Sequence, residues 1–239
     1  MNRLLLLIRS TFFYIGYVVI TILMSAVFIL SFPVLTQKGH HRFAATWCTV
    51  ILGWLGICCG VHYQVKGIEN LSQDPAVYLS NHQSSWETIL FYKLIYPLSP
   101  ILKKELMNIP FWGWALRLTK PIAIDRSKPR EAGKSLLKQG VQRIQSGSSV
   151  IVFPEGTRSA PGTVKRFSRS GATLAQSAGV SIVPIAHNAG YAWPPRTFIK
   201  NPSMITVEIG QPIDVIEQSV SDATEQAEAW VREHLVAHP

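Results

Sequence analysis

A histidine followed five residues later by a glutamate, in the segment Asn81-His-Gln-Ser-Ser-Trp-Glu87, is the part of this 239-residue chain best suited to acid–base chemistry. A neutral imidazole can take a proton from an alcohol. A carboxylate on its far nitrogen fixes the tautomer and stabilises the imidazolium, a combination that contributes roughly 10² to 10⁴ in rate. Residues five apart on one regular helix lie about 140° out of line, so His82 and Glu87 cannot pair there. They can pair if the helix begins at Ser84 or Ser85 and His82 lies in the loop before it. The same residues also spell a capping box, Ser84-Ser-Trp-Glu87, in which Glu87 simply bonds back to the Ser84 amide. Spacing leaves both readings open, and the two oxygens of a carboxylate allow both at once.

Further polar clusters can serve a substrate. Phe153-Pro-Glu-Gly-Thr-Arg158 combines a carboxylate, a glycine that lets backbone approach a ligand, a hydroxyl and a guanidinium. Arginine is the side chain best shaped to hold a phosphate with two bonds, although a plain turn with solvated charges fits the same letters. Lys103-Lys104 precedes Ile109-Pro-Phe-Trp-Gly-Trp114, so cations meet aromatics of the kind found at membrane interfaces; a phosphate clamp, a membrane foot and a solvated basic face all fit. Lys165, Arg166 and Arg169 extend the positive surface. His187, which follows a strand, is the one remaining histidine that could take a functional role, and a hydrogen-bonded structural histidine is the other reading. No Gly-x-Ser-x-Gly elbow is present and all three cysteines lie in an apolar run, which favours direct attack by a substrate hydroxyl over an acyl-enzyme. No zinc motif, phosphate-binding loop or dinucleotide fingerprint occurs, and no disulfide is expected, since Cys58 and Cys59 are adjacent.

The elements that must position these groups fall into two parts. Phe12 to Phe32 is 21 residues without a charge and Phe43 to Val61 is 19, separated by Pro33 to Arg42. As a helix the first would run about 32 Å, enough for a hydrocarbon core of about 30 Å. Basic residues flank the first run on both sides, so a spanning hairpin and a shallow insertion in one leaflet both remain open. From residue 62 short strands alternate with helices. Strands are expected at His62 to Val65, Ala76 to Ser80, Pro121 to Ile124, Val150 to Phe153, Ser181 to Ile185 and Ile205 to Ile209. Helices are expected at Trp86 to Ile95, Pro129 to Gln145, Gly171 to Ala178 and Val220 to Val236. The expectation is a two-helix membrane anchor over residues 1–61 and an α/β domain over 62–239, with a largely parallel or mixed sheet flanked by helices. Asn81-His82, Pro154 to Arg158 and His187-Asn188 each follow a strand directly, and open α/β sheets gather ligands at the carboxyl ends of their strands.

Charge narrows the partners. Residues 101–170 hold fourteen Lys and Arg against four Asp and Glu, within a net charge of +9, so the middle of the chain faces something anionic. Nucleic acid, phosphorylated lipid, coenzyme A and an acidic leaflet are the candidates.

Four blocks in order, Asn81-His-Gln-Ser-Ser-Trp-Glu87, Lys104-Glu-Leu-Met-Asn-Ile-Pro-Phe-Trp-Gly113, Phe153-Pro-Glu-Gly-Thr-Arg158 and Val183-Pro-Ile-Ala186, resemble the glycerolipid acyltransferase superfamily, and within it the bacterial 1-acyl-sn-glycerol-3-phosphate acyltransferases. The resemblance runs from about residue 62 to 210. It implies an acyl-CoA or acyl-carrier-protein donor with no separate cofactor and no metal, and His82 as base on the sn-2 hydroxyl with Glu87 orienting it. It places acceptor binding on Glu155, Gly156, Thr157 and Arg158, and makes Lys104 a phosphate ligand. Lysophosphatidic acid, membrane phospholipid and the acyl carrier become the implied partners in place of nucleic acid. A bacterial inner membrane, with the site facing the cytoplasm, is the implied location. The first block of the family usually ends in Asp, and here it ends in Glu87. An acyltransferase for another lysophospholipid or a lyso-aminolipid, and a non-catalytic module that binds anionic lipid, are the alternatives.

Overall fold

Leu4, Ile8, Phe12, Ile15, Val19 and Leu23 recur at helical spacing. In the computed structural model, which describes residues 2–125 and 127–235, they form an exposed stripe along α1 (Arg3–Ser31), while Ser10, Phe13, Thr21, Ser25 and Phe28 on its other side are buried. Such a helix is inside out for water and suited to lipid. A short turn over Phe32–Val34 leads to α2 (Gln37–Cys59). Both helices are long and apolar enough to cross a membrane, which fits membrane association.

Each helix extends beyond the uncharged run that marks it in the sequence. Arg9 is accommodated within α1 because its Nε donates to the Cys58 carbonyl at 2.6 Å. The Thr36 hydroxyl accepts the Gly39 N–H at 3.2 Å and starts α2 six residues ahead of Phe43, so His40, His41 and Arg42 are helical rather than linker. Gly60, at φ 68°, closes α2 in a left-handed turn that suits glycine.

Seven strands follow: β1 (Val61–Lys66), β2 (Val77–Ser80), β3 (Leu98–Lys103), β4 (Ile122–Ile124), β5 (Ser149–Val152), β6 (Ile182–His187) and β7 (Ser203–Ile209). They form one sheet in the order β1-β7-β6-β2-β5-β3-β4, parallel throughout except for the antiparallel β6–β7 pair. The mixed α/β expectation holds. β2 lies at the centre, with Leu79 opposite Val152 on one side and Pro184 on the other, and all four of its residues are buried. Central strands with both faces covered read as continuous apolar runs, as these do.

α3 (Trp86–Leu94) joins α1 and α2 on one face of the sheet, where Phe13, Leu55, Trp86, Leu90 and Ile205 share a core. α5 (Pro129–Gln145), α6 (Ser170–Ala178) and α8 (Val220–Glu233) pack on the opposite face around Val77, Leu79, Leu174 and Ala227. α4 (Trp112–Leu118) lies alongside α1, and α7 (Ala189–Ala192) is a single turn after β6.

Candidate active site

β2, β5 and β6 are adjacent and parallel, so their carboxyl ends deliver Asn81-His82, Phe153 to Arg158 and His187-Asn188 to one edge of the sheet. Asn81 locks two of these tips together. Its Nδ2 donates to the His187 carbonyl at 2.9 Å and its Oδ1 accepts the His187 N–H at 3.1 Å.

α3 begins at Trp86, with Ser85 before it, so His82 sits in the loop and turns back. Its Nδ1 lies 2.7 Å from Glu87 Oε1. The same oxygen accepts the Ser84 N–H at 2.8 Å and the Gln83 N–H at 3.1 Å. The cap and the dyad thus coexist on a single carboxylate oxygen, while Oε2 has no hydrogen-bond partner among the described residues. Glu87 is fully buried. Burial raises its pKa, but the nearby His187 ring, the bond from His82 and the Ser84 amide outweigh it, and the carboxyl stays below its ordinary value. Because an ionised carboxylate only accepts, the His82 proton belongs on Nδ1, and Nε2 is left as the base. The imidazole is further held by Phe153, stacked on it at 4.3 Å and 22°.

Glu155 meets His82 from the other side. Its Oε1 accepts the His82 N–H at 2.7 Å, and its Oε2 accepts the Lys165 N–H at 2.9 Å and the Ser159 hydroxyl. Both oxygens are occupied by the protein, so this carboxylate organises the loop that carries its neighbours. Gly156 takes φ 71°, a left-handed turn that suits glycine, and Thr157 and Arg158 follow it to the rim of a cavity. Arg158 donates to the Ser85 hydroxyl at 2.8 Å.

The cavity, about 1020 Å³, starts at His82 and runs between the helical pair and α3–α4. Its lining combines the apolar side chains of Met24, Phe28, Phe43, Trp47, Leu106 and Leu116 with the cations Lys103, Arg158, Lys165 and Arg196, and includes no carboxylate. Apolar and cationic side chains thus line one space together with the base. Lys104 stands outside that lining, in the turn Lys104–Asn108, and its neighbour Lys103 takes the place in the wall. Pro195 and Arg196 were not among the sequence candidates, because neither motif nor periodicity marks their loop.

His187 is fully buried; its Nδ1 accepts the Ala189 N–H at 3.2 Å and its Nε2 lies 2.9 Å from the Asn81 carbonyl. Both nitrogens are used internally, which favours the structural of the two readings.

The sequence profile of the family described as acyltransferase matches residues 62–188, the stretch that contains His82, Glu87, Lys103, Glu155 to Arg158, Lys165 and His187. A 1-acyl-sn-glycerol-3-phosphate acyltransferase of Pseudomonas aeruginosa is 43% identical over 207 residues, covering 85% of this chain and 80% of that protein. The chain belongs to the acyltransferase family. A Saccharomyces cerevisiae enzyme of the same description is 32% identical over 182 residues, covering 74% of this chain and 59% of the yeast protein. The crystal structure of the 1-acyl-sn-glycerophosphate acyltransferase of Thermotoga maritima superposes with a TM-score of 0.85 over 98% of this chain and 95% of that one, at 22% identity, so this acyltransferase shares its fold, helical pair included.

Proposed function

We propose that this acyltransferase moves a fatty acyl group from acyl-CoA or acyl-carrier protein to the sn-2 hydroxyl of 1-acylglycerol-3-phosphate, giving phosphatidic acid. The observation that carries the reading is the pairing of His82 with buried Glu87 at 2.7 Å beside a cavity lined by both cationic and apolar side chains. That cavity matches a substrate with one phosphate and one hydrocarbon tail. The relatives named above carry the same acceptor in their descriptions.

In the proposed mechanism His82 Nε2 takes the sn-2 hydroxyl proton as the oxygen attacks the thioester carbonyl. The tetrahedral species then expels the thiolate, which recovers the proton from the imidazolium, and ester and thiol are released. Glu87 holds the imidazole in the Nδ1–H tautomer and stabilises its charged form, as a positioning partner. Arg158 and Thr157 face the acceptor at the cavity rim, with Glu155 and Gly156 shaping their loop and Lys103-Lys104 adding positive field. The reaction draws on no group beyond donor and acceptor. Residues 1–61 serve as the anchor and 62–239 carry the chemistry, at the cytoplasmic face of a bacterial inner membrane, where a lysolipid reaches the cavity from the bilayer.

The test is an acceptor panel assayed with the purified full chain and either donor. Lysophosphatidic acid should be acylated at the sn-2 position in preference to a phosphate-free 1-acylglycerol and to zwitterionic lysophospholipids. Preference for an acceptor without a phosphomonoester would remove the basis of the reading.

A further inference from the structure

Arg196 lies within the loop from Trp193 to Lys200, lines the cavity beside Pro195, and holds φ 61°, a left-handed conformation uncommon for a non-glycine residue and favoured where surrounding structure holds it. The surroundings do so here. The loop is closed at its base by the Asn201 N–H bonded to the Ala192 carbonyl at 2.8 Å and by Asn201 Nδ2 bonded to the Tyr191 carbonyl at 3.0 Å. Its interior is filled by Lys200, which is fully buried and donates from Nζ to the carbonyls of Thr197 at 2.9 Å and Phe198 at 2.8 Å. Burial pushes the Lys200 ammonium down to about 8, so it remains largely charged at neutral pH.

The same lysine ties the loop to α1. Its Nζ lies 5.0 Å from the ring centroids of both Tyr14 and Trp193, and its backbone N–H donates to the Ser10 hydroxyl at 2.9 Å. Phe198 stacks on Tyr14 at 4.9 Å. The loop therefore moves with the apolar helix along which a lipid tail would lie, and Tyr17, one turn on from Tyr14, is itself in the cavity wall. Of the other lining cations, Arg158 is bonded to Ser85, Lys103 pairs with Glu105 at 3.9 Å, and Lys165, tied by its N–H to Glu155, offers a point charge without the planar fork of a guanidinium. Arg196 has a planar guanidinium, no partner among the described residues that would compete for it, and a preorganised backbone, which lowers the cost of ordering it around an anion.

We infer that Arg196, set in place by the Lys200 latch between its loop and α1, binds the phosphate of the lysolipid acceptor on the membrane-helix side of the cavity. This rests on the acceptor reading proposed above. The lipid acceptor is favoured over the thioester donor, whose phosphates approach from water, because the loop is fastened to the helix that faces lipid.

Steady-state kinetics in mixed micelles with the full chain test it. Arg196→Ala should raise the KM for lysophosphatidic acid about tenfold or more and leave the donor KM unchanged, and Arg196→Lys should recover part of the loss. The ratio of turnover on lysophosphatidic acid to turnover on phosphate-free 1-acylglycerol should fall by a similar factor, whereas general structural damage would lower both together and leave the ratio unmoved. Lys200→Met, which removes the latch but not the guanidinium, should shift the same ratio in the same direction. An unchanged acceptor KM, an unchanged ratio or a rise confined to the donor KM overturns the inference. Failure of the wild-type chain to acylate lysophosphatidic acid would instead overturn the acceptor reading itself.

Discussion

Glu155 accepts the backbone N–H of His82 at 2.7 Å, so the loop after β5 holds the loop after β2 through the peptide of the proposed base itself. The two segments are 73 residues apart, and the carboxylate is the joint between them. A charge-assisted bond of this kind contributes about 1.5–3 kcal/mol. Glu155→Gln should lower the melting temperature measurably and depress kcat, because the His82 backbone loses its charged acceptor. Paired thermal melts and initial rates check it; unchanged values in both would mean that the bond is idle.

Glu87 is a glutamate where the family usually has aspartate, and its length lets one oxygen reach His82, Gln83 and Ser84 together. Glu87→Gln keeps the shape but loses the charge, so kcat should fall roughly 10² to 10⁴-fold while binding of lysophosphatidic acid is retained. Glu87→Asp keeps the charge on a side chain one methylene shorter. It should retain more activity than the glutamine variant, at some cost in stability from the strained cap. Rates and binding isotherms on the same preparations separate the two effects, and lipid binding with no kinetic change in Glu87→Gln would favour a non-catalytic lipid-binding module.

Burial holds the His187 imidazole below its ordinary value of 6.5, against the opposing pull of Glu87 and the Asn81 carbonyl. In the unfolded chain the same histidine takes up a proton as pH drops below 6.5, while in the folded protein it resists. The unfolded state then binds more protons, so stability is complete above 6.5 and declines as pH falls below it. Glu87 acts in the same direction at lower pH, below its ordinary 4.5. Melting temperatures measured across this range should decline on the acid side of 6.5, and His187→Gln should decline less steeply there. Parallel curves for the two proteins would contradict the assignment.

The lining of the apolar arm of the cavity includes Ala115 on α4, a small side chain, along with Met24 and Phe28. Ala115→Phe should shorten that arm. Turnover should fall selectively for long acyl substrates, since each excluded methylene is worth roughly 1–3 kcal/mol in a hydrophobic site. A chain-length series run separately on donor and acceptor would show which tail occupies the arm; uniform loss across all lengths would mean that the arm holds neither.

Much of this arrangement was legible in the sequence, for physical reasons that differ from element to element. α5 spans Pro129–Gln145 as expected, because a proline at its start and a regular amphipathic pattern mark it. β2, β5 and β6 are short, apolar and followed by polar residues, and that punctuation placed His82, Arg158 and His187 at strand ends. β3 escaped notice because Pro100 interrupts Leu98–Lys103 and no alternation marks the strand. α4 was hidden by Phe111, whose φ of 59° turns the chain just before it, and Gly113 is required there because a Cβ would lie 2.6 Å from the Leu106 carbonyl oxygen. Arg196 was invisible for a different reason: its position comes from a loop folded around Lys200 and fixed to Tyr14 and Ser10, contacts that span more than 180 residues.

The central claim is that His82, oriented by Glu87, removes the proton from the acceptor hydroxyl. The most direct measurement is the turnover of purified His82→Ala protein, shown to be folded by its melting temperature, with lysophosphatidic acid and an acyl thioester. The account predicts a loss of at least about 10²-fold in kcat, the lower bound for a positioned general base. Turnover at the unmutated rate would contradict it.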